Sequence, residues 1–279
     1  MAQETWTKVD KYFSDLLLGD DPVLAAALED SDKAGLPPIH VSPPQGKLLM
    51  LLAQSVNARR ILEIGTLAGY STIWLARALP AGGRLVSIEF EQKHADVARS
   101  NIARAGLSGV AEILVGPALE VLPRLAARDP EPYDLIFIDA DKQNYPGYFA
   151  WALRMARRGT LIVADNVVRG GEIIDKDSSN AGVPGVRRMN ELVAAEPRVS
   201  ATAIQTVGAK GYDGFLVARV VADACPPREP LISADRRNHF LAAGVRSLQS
   251  SRNSPHSRPT SNPPRHYALR SSLVPETPR

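Results

Sequence analysis

Two apolar runs of the sequence end in side chains that bind metal ions or move protons. The run YDLIFIDADK ends in Asp139, Asp141 and Lys142, and the run TLIVADN ends in Asp165 and Asn166. Each run is typical of a buried strand in a parallel sheet, where ligands bind just beyond the carboxyl ends of the strands. If the two strands are neighbours, about 4.8 Å apart, Asp139, Asp165 and Asn166 present three oxygen ligands around one point. The pattern therefore predicts a divalent-cation site with a lysine beside it.

The ligand types indicate which metal this site would hold. Two carboxylates and an amide suit Mg²⁺ best, with Mn²⁺ or Ca²⁺ as alternatives, and zinc is disfavoured because no Cys or His lies at either strand end. A purely structural alternative is that Asp139 caps the next helix while Asp165 and Asn166 form an Asx turn. Because both motifs occur at consecutive strand ends, we expect the metal site. His40 and His94 are interpreted as surface or core residues.

A glycine-rich turn follows an earlier apolar run. The segment ILEIGTLAGYS places Gly65 and Gly69 at the start of a predicted helix. Glycines at such a turn let the backbone approach a ligand, and the helix N-terminus favours a negative group such as a carboxylate. The turn therefore predicts a nucleotide cofactor, with a simple tight turn as the alternative. Its spacing is not G-x-G-x-x-G, so the dinucleotide fingerprint is missing.

An acidic residue, Glu89, ends the next apolar run, 24 residues after Gly65. A carboxylate at this place can accept hydrogen bonds from both ribose hydroxyls of NAD or of S-adenosylmethionine. A solvated carboxylate is the alternative interpretation, and Glu91 is a nearby rival for the role. Glu89 is therefore a candidate cofactor residue.

The elements that must position these residues alternate from Arg60 onward. Strand-like and helix-like runs follow one another to about residue 195, which is the pattern of a doubly wound α/β sheet. Two helices, near residues 6–17 and 45–55, are expected to precede and cover the sheet. The runs ATAIQTV and GFLVARVV are joined only by residues 208–213, so they predict an antiparallel hairpin. The expected fold is a Rossmann-like, mostly parallel seven-stranded sheet with this C-terminal hairpin.

Composition divides the chain into a domain, residues 1–221, and a tail, residues 222–279. Within the domain, residues 1–58 are expected to form the helical cover and residues 59–221 the Rossmann-like core. The tail holds nine of the 22 prolines, nine serines and a net charge of +5, which leaves −2 for the rest of the chain. Such a segment buries too little apolar surface to offset its ordering entropy. The tail is therefore predicted to be mostly disordered.

Composition also indicates the cellular compartment in which the protein is expected. The lone cysteine, Cys225, cannot form an internal disulfide. No signal-peptide pattern opens the chain, and no early apolar run approaches the ~20 residues that a membrane span needs. We therefore expect a cytoplasmic protein without a membrane anchor.

Several motifs together carry a family resemblance. In order and spacing, EIGTLAGYS, GPA, FIDADKQNY and the Asp165-Asn166 pair resemble the cation-dependent O-methyltransferases, the family of caffeoyl-CoA O-methyltransferase and catechol O-methyltransferase, over about residues 5–221. The resemblance implies S-adenosylmethionine as methyl donor, a divalent cation, a phenolic or catechol-like acceptor and a homodimer. It implies metal ligation by Asp139, Asp165 and Asn166. It implies cofactor contacts from Val41, Glu63, Gly65, Thr66, Ser71, Glu89, Ala118, Asp139, Asp141 and Tyr148.

The resemblance also implies a catalytic role for Lys142, which falls where the family has its proposed general base. Neighbouring positive charges would disfavour the ammonium form of this lysine and make it a better base. In the implied mechanism, the cation makes a catechol hydroxyl more acidic, Lys142 takes its proton, and the phenolate attacks the methyl group of S-adenosylmethionine. Asp139, Asp165 and Asn166 complete the implied catalytic set. A surface lysine paired with Asp141 is the alternative.

One departure from the family bears on the acceptor. Plant members carry Trp-Asn after the Asp-Asn pair, whereas this chain has Val167, Val168 and Arg169. The departure puts an acyl-CoA acceptor in doubt. Arg169 is a candidate partner for an acidic group on a smaller phenol, with a solvated arginine as the alternative. Residues 169–184 are predicted to form a mobile flap over the substrate.

Two other classes of protein remain open from the sequence. The arginine-rich tail favours, as one alternative, an RNA methyltransferase or another nucleic-acid-binding protein. Nucleic acid is the less favoured partner, because the tail has no lysine and only Phe240 and Tyr267 as aromatic residues. The other alternative is an NAD-dependent Rossmann dehydrogenase, a class that usually lacks an antiparallel end to its sheet.

Overall fold

Seven strands form one sheet at the centre of the protein. The structure is a computed structural model and describes residues 2–223. The strands are β1 (Arg60–Ile64), β2 (Arg84–Glu89), β3 (Ala111–Val115), β4 (Tyr133–Ile138), β5 (Ala156–Ala164), β6 (Val199–Gly208) and β7 (Gly211–Val220). Their order across the sheet is β3-β2-β1-β4-β5-β7-β6. The tail that was predicted to be disordered lies, from residue 224 onward, outside the residues that the structure describes.

The register of the sheet brings four strand ends to one edge. Ile64 pairs with Ile88 on one side and with Ile138 on the other, and Ile138 pairs with Ala164. All of these pairings are parallel, so the residues that follow β1, β2, β4 and β5 lie side by side. β7 runs antiparallel to β5, and β6, at the edge of the sheet, runs antiparallel to β7. The predicted fold class is therefore confirmed.

The C-terminal hairpin turns more tightly than the sequence indicates. Gly208 pairs with Gly211, so only residues 209–210 connect the two strands. Gly211 has a φ of +95°, a conformation that glycine adopts without strain. The predicted connection, residues 208–213, therefore lies partly within the strands.

Eight α-helices lie among the described residues. They are α1 (Ala2–Leu17), α2 (Pro22–Lys33), α3 (Pro43–Ser55), α4 (Tyr70–Arg77), α5 (Gln92–Arg104), α6 (Ala118–Arg128), α7 (Tyr145–Arg154) and α8 (Val183–Ala195). Short 3₁₀ helices occupy Lys142–Asn144 and Arg169–Ile174. Over residues 2–223, no helix has the length and apolar character that crossing a membrane requires.

The two helices predicted before the sheet are present as α1 and α3, and α2, which lies between them, was not predicted. Its apolar stripe is weak: the buried positions are Leu24, Ala27 and Ser31, which include a single large side chain. The start of the helix does carry a local signal. Asp21 accepts hydrogen bonds from two backbone N–H groups of the first turn, and Pro22 follows it. The capping residues, not the periodicity, therefore mark this helix.

Two hydrophobic layers enclose the sheet. Neighbouring residues of β1 belong to opposite layers: Leu62 packs with α6, α7 and α8, whereas Ile61 packs with α2, α3, α4 and α5. Every residue of β4 is buried. Helices thus cover both faces of the central strands, and the carboxyl edge of the sheet is left to form a site.

Candidate functional site

The carboxyl ends of the central strands border a cavity of about 700 Å³. Its wall is built from the turn after β1, the end of β2, the loop after β3 and the ends of β4 and β5. The residues singled out from the sequence that line it are Val41, Gly65, Thr66, Ser71, Glu89, Ala118, Asp139, Asp141, Lys142, Tyr148, Asn166 and Arg169. Glu63 and Asp165 are not lining residues.

Gly65 joins the glycine turn to the end of β4. Its φ is +101°, and a Cβ at this residue would lie 2.0 Å from the backbone oxygen of Asp139. The backbone N–H of Asp139 in turn donates to the oxygen of Ile64 at 2.8 Å. A side chain larger than hydrogen would force these two segments apart. The predicted cofactor turn and the predicted metal ligand are therefore built against each other.

Glu89 holds the same turn from the side of β2. Its Oε2 accepts hydrogen bonds from the backbone N–H groups of Thr66 (3.1 Å) and Leu67 (2.8 Å). Its Oε1 accepts one from the backbone N–H of Glu91 (3.0 Å) and lies 3.2 Å from Nδ1 of His94. The carboxylate is thereby fixed at the cavity wall, with further lone pairs for a ligand.

Glu63 lies behind the cavity wall and is fully buried. Its Oε1 accepts a hydrogen bond from Ser71 Oγ at 2.6 Å, and its Oε2 accepts from Thr72 Oγ1 at 2.5 Å and Ser87 Oγ at 2.7 Å. Burial raises the pKa of Glu63 to about 7, and the three hydroxyl hydrogen bonds oppose this shift. Ser71 lines the cavity, so this serine links the buried Glu63 to the cavity wall.

An ion pair stands at the end of β4. The Nζ atom of Lys142 lies 2.7 Å from Oδ1 of Asp139, with side chains 13% and 20% exposed. Lys142 also lies over the ring of Tyr145, at 4.9 Å from its centroid. Because the pair is mostly shielded from solvent, salt screens it little. Lys142 therefore pairs with the predicted metal ligand, and not with Asp141 as the alternative interpretation had it.

Backbone contacts fix the end of β5 beside the end of β4. The N–H of Asp165 donates to the oxygen of Ile138 at 3.0 Å. The buried hydroxyl of Tyr145 donates to the backbone oxygen of Asp165 at 2.9 Å. Asp139 and Asp165 therefore follow directly on paired strand residues, as the sequence predicts.

Asp165 is a buried acid with a second acid, Asp139, as its neighbour. It is 6% exposed, and its Oδ1 accepts a hydrogen bond from the N–H of Asn166 at 2.8 Å. Burial, followed by the charge of Asp139, raises the pKa of Asp165. The hydrogen bond from Asn166, the charge of Lys142 and the Gln45 side chain act in the opposite direction. Positive charge added here would stabilise the ionised carboxyl.

Asp141 has partners of its own. It accepts hydrogen bonds from the hydroxyl of Tyr148 and, at 2.6 Å, from Nδ2 of Asn144. Burial and the hydrogen bond with Asp141 raise the pKa of Tyr148. The group is separate from the pair that Lys142 makes, so the two aspartates of FIDADK have different surroundings.

The interpretation of His40 and His94 as plain surface or core residues is wrong, because both line the cavity. His94 lies in the first turn of α5 and reaches back to Glu89 at the end of β2. Nδ1 of His40 is 2.9 Å from the oxygen of Val41, and its ring centroid is 5.6 Å from that of Tyr70. His94 lies five residues after Glu89, in the first turn of the helix that follows β2, so its place near the end of β2 can be inferred from the sequence. The position of His40 depends on how its loop folds over the sheet.

Comparison with known protein families shows which family of enzymes this chain belongs to. A family model described as O-methyltransferase matches residues 16–220, well over half of the 279 residues. The chain belongs to the O-methyltransferase family. This membership confirms the resemblance and removes the support for a Rossmann dehydrogenase.

Curated relatives and solved structures agree with this O-methyltransferase assignment. The catechol O-methyltransferase of Mycobacterium tuberculosis is 54% identical over 76% of this chain and 94% of the relative. The catechol O-methyltransferase of Niastella koreensis is 52% identical over 79% of this chain and 100% of the relative. The O-methyltransferase from Bacillus cereus in complex with SAH matches with a TM-score of 0.77 at 58% identity, over 78% of this chain and 99% of that one. TomG from Streptomyces achromogenes, in complex with SAM, matches with a TM-score of 0.77 at 52% identity, over 80% and 100%.

The donor groups of this O-methyltransferase fit a hard divalent cation at the ends of β4 and β5. Asp139 and Asn166 line the cavity, and Asp165 is their neighbour. Within residues 2–223, no group of three His, Cys, Asp or Glu side chains is placed to hold a metal ion, so a cation at this point would need an oxygen from another residue type, such as the Asn166 amide. Burial, and after it the charge of Asp139, disfavours the ionised form of Asp165, and a cation bound here would stabilise that form.

Proposed function

We propose that this O-methyltransferase transfers the methyl group of S-adenosylmethionine to a phenolic hydroxyl of a catechol-like small molecule and requires a divalent cation. One observation carries the proposal. A single cavity has the glycine turn and Glu89 on one side, and Lys142 beside the oxygen ligands at the ends of β4 and β5 on the other. Donor and acceptor can therefore meet within it.

The cofactor is proposed to bind at the ends of β1, β2 and β3. Its contacts would come from the cavity-lining members of the set implied by the sequence, and Glu63 would act through Ser71. Glu89 would accept the ribose hydroxyls, and the start of α4 would receive the carboxylate. The SAH and SAM complexes of the Bacillus cereus enzyme and of TomG support this choice of cofactor.

The acceptor is proposed to bind at the ends of β4 and β5. When bound, the cation would supply positive charge that makes a catechol hydroxyl more acidic, and Mg²⁺ suits the ligand set best. Asp139, Asp165 and Asn166 would hold it. Two relatives named catechol O-methyltransferase support the choice of acceptor class.

Lys142 is proposed to take the acceptor's proton at its Nζ atom. Asp139 holds this atom at 2.7 Å and the ring of Tyr145 lies beneath it, so the lysine is oriented before a substrate arrives. Asp141 and Tyr148 would hold the cofactor in place from the other side. The chain's remaining contribution is to align the phenolic oxygen with the methyl group and to exclude water.

The proposal is tested with labelled S-adenosylmethionine, a simple catechol and Mg²⁺. Methyl transfer that stops on adding EDTA and returns with excess Mg²⁺ is expected. Activity unchanged in EDTA would refute the cation requirement. Stabilisation against heat by S-adenosylmethionine and not by NAD is also expected; stabilisation by NAD alone would refute the cofactor.

We also propose that the protein is a homodimer that pairs through α1. None of the residues of α1 is buried, and Tyr12, Leu16 and Leu17 are 61%, 62% and 64% exposed. Polar residues hold the helix in place: Asp10 accepts a hydrogen bond from the N–H of Ala209 at 2.7 Å. A fixed helix with an uncovered apolar face is typical of an interface.

Nucleic acid binding by the tail is the less favoured alternative. Its arginines lie beyond the described residues, and small-molecule enzymes are the relatives that match the rest of the chain. Salt-dependent retention on RNA that is lost on deleting residues 222–279 would favour this alternative.

A further inference from the structure

Arg169 is presented to the cavity by a fixed backbone. Asp213 of β7 accepts hydrogen bonds through Oδ1 from the N–H groups of Val168 (3.1 Å) and Arg169 (2.9 Å). The φ of Arg169 is +57°, and Gly170 and Gly171 continue in the left-handed region. Few residues other than glycine adopt this conformation without cost, so the surrounding contacts must hold it. The guanidinium therefore projects from a constrained position three residues after Asn166.

Within residues 2–223 the side chain of Arg169 makes no hydrogen bond or ion pair, although its charge acts on the buried Tyr145 and opposes the rise in the pKa of that tyrosine. The Nε atom of Arg169 is buried and makes no hydrogen bond, although the residue lines the cavity. A buried donor without an acceptor is costly, and most such groups in proteins are paired. The donor therefore needs an acceptor that enters the cavity from outside.

The other basic side chains of the cavity wall are already engaged. Lys142 is bound by Asp139 at 2.7 Å, His94 lies 3.2 Å from Glu89, and His40 lies 2.9 Å from a backbone oxygen. Arg169 alone among these four offers its charge to a ligand. Its planar fork of N–H donors matches a carboxylate, which it can bind through two parallel hydrogen bonds.

The position of Arg169 indicates which ligand carries that carboxylate. Arg169 follows the end of β5, three residues after Asn166, whereas the start of α4, after β1, already offers a place for the carboxylate of the cofactor. The partner of Arg169 is therefore the methyl acceptor.

We propose that Arg169 binds an acidic substituent of the acceptor, so that the preferred substrates are catechols bearing a carboxylate. The inference rests on the proposed function, because it assumes a catechol at the ends of β4 and β5. It assigns Arg169 to substrate specificity: the contact exists in the bound substrate and in the transition state alike. Losing it should therefore raise KM more than it lowers kcat.

The test compares a dihydroxybenzoate with the matching dihydroxybenzamide, which has the same shape and no charge. For the wild type, kcat/KM of the acid should exceed that of the amide by about 10- to 100-fold, as expected for a charge-assisted pair. R169Q should bring this ratio close to one by lowering kcat/KM of the acid far more than that of the amide, and R169K should keep part of the preference. R188Q is the matched control, since Arg188 is exposed and paired with Glu191 on α8.

A binding measurement separates specificity from a structural role. Titration of the dihydroxybenzoate into enzyme with SAH and Mg²⁺ should show the same fold loss of affinity in R169Q, with SAH affinity unchanged. Equal losses for acid and amide, weakened SAH binding, or a wild-type ratio near one would overturn the inference. If the amide is methylated but the ratio is one, the proposed function stands and only the role of Arg169 fails. If no catechol is methylated or bound, both fail.

Discussion

The Nζ atom of Lys142 lies 2.7 Å from Oδ1 of Asp139, and a Cβ on Gly65 would lie 2.0 Å from the backbone oxygen of that same aspartate. Asp139 is thus the residue at which the proposed base, the proposed metal site and the cofactor turn meet. Small displacements of this strand end should affect all three. The first two predictions follow from this arrangement.

Lys142→Met should lower kcat by about 10²- to 10⁴-fold, the usual contribution of a general base. The substitution keeps a long side chain that can cover the ring of Tyr145, so the fold should persist. Steady-state kinetics and calorimetric binding of S-adenosylmethionine check this, and the affinity for the cofactor should stay within a few-fold. Lys93→Met, at an exposed position of α5, is the control. A Lys142→Met enzyme with wild-type kcat would show that another group takes the proton.

Gly65→Ala should destabilise the protein by about 2–4 kcal/mol, because the new Cβ clashes with backbone and its φ of +101° is strained for alanine. Cofactor affinity should fall with it. Chemical unfolding and binding of S-adenosylmethionine give the two readouts. Gly109→Ala serves as the control, since a Cβ there meets nothing within 4 Å. If both variants behave alike, the close approach is not what holds the turn.

Much of the site follows from the sequence because strand ends are local features. Apolar runs that stop at Asp139 and Asp165 fix where the chain reaches the edge of the sheet, and parallel pairing then brings these residues together. The glycine turn and Glu89 follow from the same logic. The mostly parallel seven-stranded sheet with its hairpin followed from the alternation of elements and the short connection of the hairpin, whereas the order of the strands was not predicted.

The rest depends on contacts between distant segments, which no local pattern encodes. Gln45 lies near Asp165 only because α3 packs over the sheet, and His40 lines the cavity only because its loop folds back. The family resemblance implied a direct cofactor contact for Glu63. In the structure, Glu63 is buried behind Ser71 and accepts hydrogen bonds from three hydroxyl groups.

Asp165→Asn should abolish the effect of Mg²⁺ while leaving the metal-free protein at least as stable. The variant removes a buried acid whose ionised form is disfavoured, but it also removes a charged metal ligand. Wild-type protein should gain about 2.7 kcal/mol when Mg²⁺ is present at 100 times its Kd. Thermal unfolding with and without Mg²⁺ measures both effects, with the exposed Asp96→Asn as control. Equal stabilisation of Asp165→Asn by Mg²⁺ would place the cation elsewhere.

Leu16→Glu combined with Leu17→Glu should convert the proposed dimer into a monomer. Charges on the exposed face of α1 would have to be desolvated in a paired state, whereas in a monomer they remain in water. Light scattering after size-exclusion chromatography measures the mass. Lys8→Ser changes an equally exposed position of the same helix and should not alter it. A wild-type monomer, or a double variant of unchanged mass, would rule out pairing through this face.

Glu63 should make stability depend on pH between about 4.5 and 7. The ordinary pKa of this group is 4.5 and burial raises it to about 7, so in this range the folded state keeps a proton that the unfolded state has lost. The contribution of Glu63 is therefore most favourable below pH 4.5 and falls as pH rises to about 7, by about 3 kcal/mol in total. Glu63→Gln removes the titrating group and should lack this fall.

Urea unfolding of metal-free protein across this pH range measures the difference between wild type and Glu63→Gln. The free energies of unfolding should diverge steadily in favour of the variant from pH 4.5 and run parallel above pH 7. Glu131→Gln, at an exposed loop position, should track the wild type throughout. Parallel curves for wild type and Glu63→Gln from pH 4.5 onward would mean that Ser71, Thr72 and Ser87 fully offset the burial of the charge, so that Glu63 is ionised in the folded protein at the same pH as in water.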